Sequence, residues 1–390
     1  MALFGGKKPE ESQGVVGVDI GTSGIKIVEL TPEAGRLRLS TYGYCEPTAE
    51  QLLKPFAADD VNTVSAVIKQ IMVASGMKAT KAAAALPGAS VFHAIITIPI
   101  PKSSKDDIKP IIEAQASKIL PLPLADMILD SHILDKDLMP KDDVKPEKGA
   151  GTPEGQQPQP PEPQALAAAA AGSSKARHIR VQITGAPKTL VAKYVDIFKA
   201  AKLELVSLET EAFALLRALV GKDASRVMIV DIGAERSNVI IAEKGVPFLT
   251  RVVKGGGNIV TQALATSMGV GISEAEAMKK DMTFQANGTM SPVVEAAMKP
   301  LIHEMRYALQ VYAEQDFHEN RTVDKVILTG GSAQIPGLTA YVTQALNVNC
   351  YLGDPWARIA TQPEARPVLD EVGARFAVAA GLAMRVRDEK

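Results

Sequence analysis

Cysteine is scarce: the chain of 390 residues carries two, Cys45 and Cys350. Two thiols cannot build a disulfide framework, and their scarcity fits a reducing compartment. An excess of either charge is lacking too, with 43 Lys and Arg against 44 Asp and Glu and a net charge of −1. That balance supplies neither a basic surface for nucleic acid nor a solvated acidic tail. No uninterrupted apolar run approaches the roughly 20 residues that cross a bilayer, so direct membrane insertion is not expected. The opening MALFGGKKPEES has no signal-peptide core, and the expected location is cytoplasmic. Histidine is sparse and scattered; HEMRY at His303 lacks the second histidine of a zinc-protease helix. No serine sits in a nucleophile elbow, so hydrolytic chemistry of the familiar kinds is unsupported.

What is present is enough apolar residue, 46%, for two or more domains, each with its own core. Residues 139–177 are dense in Pro, Gly, Gln and Ala and poor in aromatic and β-branched residues. Such a segment cannot offset its ordering entropy by burial and reads as a disordered insertion within a domain. Before it, GVVGVDI, GIKIVEL and RLRLSTYGYC predict a β-meander, followed by a helix at VNTVSAVIKQIMVASG. Strands at KAAAALPG and SVFHAIITIP come next, then a helix over SSKDDIKPIIEAQASKIL opened by Ser and Asp. After the insertion the pattern is strand (HIRVQITGAP), helix (KTLVAKYVDIFKAAK), strand (LELVSLE) and helix (TEAFALLRALVG).

Three glycine elements stand out. In VVGVDIGTSGIKIVEL, residues 15–30, an apolar strand runs into Asp19 and turns through Gly21, Thr22, Ser23 and Gly24. Taken alone this is either an ordinary hairpin or a phosphate cradle with the aspartate facing a cation. The pattern recurs at SRVMIVDIGAERSNVIIAEKGVPFLTRVV, where Asp231-Ile232-Gly233 repeats Asp19-Ile20-Gly21. Two such hairpins, each heading a domain-sized block, read as an internal duplication able to present paired aspartates across a cleft. The third element is VDKVILTGGSAQIPGL, a buried strand ending in Thr329, Gly330, Gly331 and Ser332 with a helix starting near Pro336. Small residues there let a ligand lie against the backbone at the carboxyl end of a strand.

In this order the three elements resemble the two phosphate motifs and the adenosine motif of the actin-like ATPase superfamily. Within it, AAAALPGASVFHAIITIPIPKSSKDDIKPIIEAQASKILPLPLADMILDSHIL is similar to the small subdomain shared by FtsA and the PilM family of type IV pilus assembly proteins. LPGASVFHAIITIP and LETEAFALLRAL lean toward the pilus family, and GARFAVAAGLAMRVRDEK shows no FtsA-type amphipathic tail. The resemblance implies an α/β, duplicated actin-like fold around a nucleotide cleft. Its expected parts are a first domain at 14–81, completed by 203–222 and 366–387, a small subdomain at 82–202 and a second domain at 223–365. It also implies ATP and Mg²⁺ as ligands. Asp19 and Asp231 would flank the metal through waters, because Mg²⁺ sheds its hydration reluctantly. Gly21, Thr22, Ser23, Gly233, Ala234 and Ser237 would meet phosphate, with Ser237 standing where a threonine is commoner. Lys26 has the reach to join them and reads equally as a solvated strand lysine. Gly257, Gly330, Gly331 and Ser332 would floor the adenosine, with Glu276 and Lys279 reaching ribose and adenine; the bland reading of that i, i+3 pair is a solvated helix surface. Glu211 would orient water, with at most weak ATPase activity.

For partners, the resemblance implies the cytoplasmic N-terminal peptide of the inner-membrane protein PilN, docked extended beside strands Val91–Pro99 and Ile179–Thr184. Through it follow PilO and the inner-membrane complex, with the pilus motor ATPases and a ring-forming homo-oligomer as further contacts. The protein would sit peripherally at the inner membrane's cytoplasmic face and serve pilus biogenesis and twitching motility. A filament-forming cell-division ATPase of the FtsA kind and a small-molecule kinase are the alternatives. The kinase reading wants a further cleft aspartate that the sequence does not offer.

Overall fold

Strand β1 (Val15–Gly21) is buried along both faces, which is why its sequence reads as a nearly unbroken apolar run. It turns antiparallel into β2 (Gly24–Glu33), and β3 (Arg36–Tyr44) completes the meander. β4 (Lys81–Leu86) and β8 (Glu204–Thr210) extend this sheet in parallel, giving the order β3-β2-β1-β4-β8. The computed structural model describes residues 14–45, 60–101, 107–134, 178–281, 290–314 and 322–387. The insertion expected at 139–177 lies outside the described residues.

A second sheet repeats the plan. β9 (Val227–Ile232), β10 (Arg236–Glu243) and β11 (Val246–Lys254) form its meander. β12 (Lys325–Thr329) and β13 (Cys350–Leu352) add in parallel, so the order is β11-β10-β9-β12-β13. Rank for rank, the two sheets have the same order and the same directions. The duplication read from two tripeptides therefore extends through ten strands. The three-residue β13 carries too short a pattern to be read from sequence.

The chain divides into a large unit, Met1–Val91 with Lys188–Lys390, and a small one, Phe92–Pro187. The expected small subdomain, 82–202, is thus shorter at both ends. β4 pairs with β1 in the large sheet, and helix Lys188–Ala200 packs on helix Val61–Ala74 of the large unit. The small unit is a three-stranded antiparallel sheet, β5 (Phe92–Pro99), β7 (His178–Pro187) and β6 (Met127–Ile133), in the order β5-β7-β6. Its core is Ile96, Ile98, Ile179, Val181 and Ile183 under Ile112 and Ala116 of helix Lys109–Ala116. Of the helix expected from Ser103, residues 102–106 fall outside the described set, and Asp107 accepts the Lys109 N–H at the helix entry (3.0 Å).

One helix is buried on every side: Ala377–Ala383, whose seven residues are all inaccessible. It lies against β1, β2 and the helix that follows β8. Alanine and glycine are required because the backbones nearly touch. A Cβ on Gly17 of β1 would lie 2.0 Å from the Ala379 carbonyl, and one on Gly381 would lie 1.9 Å from that of Ala214. The segment expected as a single helix over 210–221 changes pitch instead. It is α-helical over Glu211–Leu215 and π-helical over Leu216–Val220, ending at Gly221 with φ +63°. Arg358 satisfies the freed carbonyls of Ala218 and Val220, at 2.7 and 2.6 Å. Glu209 grips Arg217 through two bonds and Arg385 through a third, tying this segment to the C-terminal helices.

Gly381→Ala tests the close approach. The added methyl has no room against backbone, so a loss of about 1–3 kcal/mol or more is expected. Thermal melting should show a drop of several degrees, and an unchanged melting temperature would mean that the helices do not meet so closely.

Candidate functional site

The two Asp-Gly hairpins place their aspartates at equivalent ladder positions, Asp19 two residues before the end of β1 and Asp231 one residue before the end of β9. Asp19 pairs across the β1–β2 ladder with Lys26, and Asp231 pairs across β9–β10 with Asn238. Each partner therefore points to the same side of its sheet as its aspartate. Lys26 Nζ donates to Asp19 Oδ2 at 3.3 Å and leans over Gly21, where an added Cβ would be 3.1 Å from it. The lysine is thus a cleft residue rather than a solvated one.

Asn238 was not foreseen. Its Nδ2 donates to Glu211 Oε2 at 2.8 Å and reaches Asp231 Oδ2 at 3.5 Å. Aligning the two hairpins residue by residue would have found it, since it stands seven places after its aspartate as Lys26 does. Glu211, the first residue of its helix, also accepts the Gly88 N–H at 3.2 Å. Burial, reinforced by the Asp231 and Asp19 charges, pushes its carboxyl up to about 8. Burial and then the Asp19 charge push Asp231 up to about 6, against the pull of Lys26 and Asn238. The structure thus brings the three expected carboxylates, Asp19, Asp231 and Glu211, within electrostatic reach of one another.

The third glycine element closes on the same spot. Thr329 pairs with Asp231, and Gly330, at φ +88°, lies so close that a Cβ would stand 2.4 Å from Asp231 Oδ1. Gly330 N–H and the Thr329 hydroxyl both donate to the Ala374 carbonyl. Gly331 has open space where a side chain would be, and Ser332 turns in to donate its N–H to Ile232 O at 3.1 Å. Helix Gly257–Met268 starts against the second hairpin, with Gly257 N–H and Asn258 N–H donating to the carbonyls of Gly233 and Ala234, both at 2.9 Å. No β-carbon fits at Gly257, which would meet Ser332 Oγ at 2.0 Å.

Packing sets the surroundings of three more side chains. Ser237 is fully buried and donates its hydroxyl to the Gly255 carbonyl at 2.8 Å, so it holds the helix entry instead of facing phosphate. The period of two explains this, since Asn238 takes the cleft side and turns its neighbour away. Glu276 and Lys279, on helix Ile272–Lys280, are not a solvated pair. Lys279 is 5% exposed, and its Nζ donates to Glu276 Oε2 (2.6 Å), Thr261 Oγ1 (3.0 Å) and the Gly257 carbonyl (3.4 Å). Burial lowers the Lys279 pKa, with the Glu276 charge opposing it. For Glu276, burial works upward, but Lys279 and Thr261 hold the carboxyl below its ordinary value. Thr22 and Ser23 stay half-exposed in the first turn.

The arrangement fits a nucleotide and a hydrated cation. It offers an open glycine backbone at Gly331, two glycine-walled turns, and carboxylates whose mutual repulsion a cation would relieve. Among the described residues no three His, Cys, Asp or Glu side chains converge as a direct metal cage.

The duplicated sheets around this cleft are the actin-like ATPase fold. MreB5 of Spiroplasma citri, in a crystal structure bound to ADP, superposes with a TM-score of 0.51 over 97% of each chain at 11% identity. A PilM–PilN type IV pilus biogenesis complex superposes with a TM-score of 0.71, at 22% identity, over 96% of this chain and 98% of that one. The cell-division protein FtsA of Escherichia coli K12 is 26% identical over 156 residues, 33% of this chain and 37% of FtsA. The chain thus matches little more than a third of that relative's length. The family model for the type IV pilus assembly protein PilM matches residues 17–146 and 167–387. The chain belongs to the PilM family.

The raised carboxyls set a pH dependence. A carboxyl that holds its proton more tightly when folded stabilises the fold below its unfolded pKa, and that contribution is lost as pH rises through the folded value. For Glu211 the window runs from its ordinary 4.5 to about 8, and for Asp231 from 3.8 to about 6. The nucleotide-free protein should therefore lose thermal stability across these windows. Glu211→Gln should flatten the upper part and melt above the parent at about pH 8. Parallel melting curves for the two proteins would refute the assignment.

Proposed function

We propose that this chain is an ATP-binding adaptor of type IV pilus assembly that docks a peptide of an inner-membrane partner. The observation that carries the nucleotide half is the convergence of Asp19, Asp231 and Glu211 beside Gly330 and Gly331 in one cleft. A magnesium ion, when bound, would neutralise the repulsion between those carboxylates and the phosphates, about 1–4 kcal/mol per unit-charge pair at surface-like dielectric. Asp19 and Asp231 would orient its waters. The backbone N–H groups of Gly21 and Gly233, the hydroxyls of Thr22 and Ser23, and Lys26 would hold phosphate oxygens. Gly257, Gly330, Gly331 and Ser332 would floor the adenosine, and Glu276 with Lys279 would border the ribose and base.

Turnover would be slow. Glu211 is poised to orient water, but burial and the neighbouring carboxylates favour its protonated form, which cannot accept a proton, until a cation relieves that repulsion. ATP would act mainly as a clamp whose occupancy biases the closure of the two duplicated halves. Those halves correspond to 14–81 with 203–222 and 366–387, and to 223–365.

Membership of the PilM family, and the fold shared with a PilM–PilN complex, support a PilN N-terminal peptide as the partner. Through PilN the protein would join PilO and the inner-membrane complex, with the motor ATPases and a ring of its own copies as further contacts. Its place would then be the inner membrane's cytoplasmic face, in the service of pilus biogenesis and twitching. No helix among the described residues is long and apolar enough to cross a membrane.

The small sheet separates two neighbouring isoleucines for the test. Ile96 is buried in the core at 8% exposure, whereas Ile95 lies on the opposite face beside Gln182, half-buried. Ile96→Lys should misfold the small unit, because an unpaired ammonium enters a dry core. Ile95→Lys should fold normally and lose a peptide copying the cognate PilN N-terminus in fluorescence anisotropy. Full affinity in a folded Ile95→Lys protein would move the docking face elsewhere.

A further inference from the structure

The second hairpin carries two cations on its cleft face that no carboxylate holds. Asn238 pairs with Val252 across β10–β11, and the next rung of that face toward the turn is Arg236 opposite Lys254. Gly88 identifies the face. A Cβ added there would meet Glu211 Oε2 at 3.3 Å, Asn238 Oδ1 at 3.4 Å and Val252 Cγ2 at 3.6 Å. Side chains two apart on a strand share a face, so Arg236 and Lys254 leave the sheet on the side of Glu211, about 7 Å along from Asn238 and Val252. The ladder is regular over this stretch, its register shift lying between Ile241 and Ala242.

That rung is unfavourable as it stands, because like charges directly opposite on an antiparallel pair repel. Both residues are exposed, and among the described residues neither has a hydrogen-bond or ion-pair partner for its side chain. The first hairpin gives the contrast. Five residues after its aspartate stands Gly24, and its cleft cation, Lys26, is already engaged by Asp19 at 3.3 Å. Five residues after Asp231 stands Arg236, beside Gly233, whose N–H donates to the Arg236 carbonyl at 3.0 Å.

Position in the sheet decides which end of a nucleotide these cations meet. In the order β11-β10-β9-β12, Gly330 and Gly331 follow β12, whereas Arg236 and Lys254 stand on β10 and β11. They are two and three strand spacings of about 4.8 Å from the glycine floor. An adenosine on that floor leaves its phosphates to extend across β9, and the last of them is the one nearest the cations.

We propose that Arg236, with Lys254 beside it, recognises the terminal phosphate, so that the site separates a nucleoside triphosphate from a diphosphate. The inference rests on the nucleotide reading above and adds a specificity-determining pair to it. A guanidinium offers paired donors that match phosphate oxygens, and an anion between two repelling cations relieves their repulsion.

Calorimetry on the full chain in Mg²⁺ tests it, with the β,γ-imido analogue of ATP and with ADP as probes. The parent should bind the triphosphate analogue more tightly than ADP. Arg236→Ala should lose roughly ten- to a hundredfold in analogue affinity, the range of one charge-assisted hydrogen bond, while ADP binding changes by less than about threefold. Lys254→Glu turns the rung into an ion pair. It should raise the melting temperature of the nucleotide-free protein and weaken the analogue selectively, which keeps the test decisive should Arg236→Ala fold poorly. A parent that binds neither probe would refute the nucleotide reading itself, and this inference with it. A parent that binds both probes equally, analogue affinity unchanged in both variants, or equal losses for the two probes would overturn the assignment of Arg236 and leave the nucleotide reading standing.

Discussion

Repulsion among Asp19, Asp231 and Glu211 is the constraint around which the large unit is arranged. Carboxylates this close do not share a protein interior without compensation, and here the compensation is partial. Lys26 offsets Asp19, and Asn238 donates to Glu211 and reaches Asp231, yet Glu211 and Asp231 still sit well above the ordinary carboxyl range. The rigid frame that enforces this is built from alanine and glycine. Helix Ala377–Ala383 is pressed against β1 so closely that Gly17 and Gly381 admit no side chain.

The duplication explains the geometry and its asymmetry. Each half contributes an Asp-Gly hairpin with its aspartate at the same ladder position, but the facing residue differs. Lys26 brings a charge to the first aspartate. Asn238 brings a neutral amide able to bond two carboxylates at once. The first hairpin is accordingly suited to gripping an anion, and the second to positioning Glu211. The third glycine element lies against the second aspartate through Gly330.

Much of this was legible in the sequence because it rests on local chemistry. The strands of both meanders followed from apolar runs broken by Gly, and the two facing aspartates from the repeated Asp-Ile-Gly. What escaped depends on contacts between distant segments. Ser237 and Asn238 are adjacent and both polar, and the ladder phase that sends one inward and the other into the cleft is set by pairing with β9. The burial of Lys279 comes from Thr261 and Gly257 on another helix, which its own helical spacing does not report. The π-turn at Leu216–Val220 depends on Arg358, far along the chain. β13 and the boundary of the small unit likewise follow from sheet partners rather than from local pattern.

The central claim is that the two hairpins serve one nucleotide through a shared metal. Calorimetric titration with ATP, in the presence and absence of Mg²⁺, on the parent and on Asp231→Ala tests it most directly. Removing a cleft carboxylate leaves both cores intact, so the variant should remain folded by thermal melting. The account predicts Mg²⁺-dependent ATP binding by the parent and none by the folded variant. Unchanged affinity in Asp231→Ala, or binding indifferent to Mg²⁺, would contradict it.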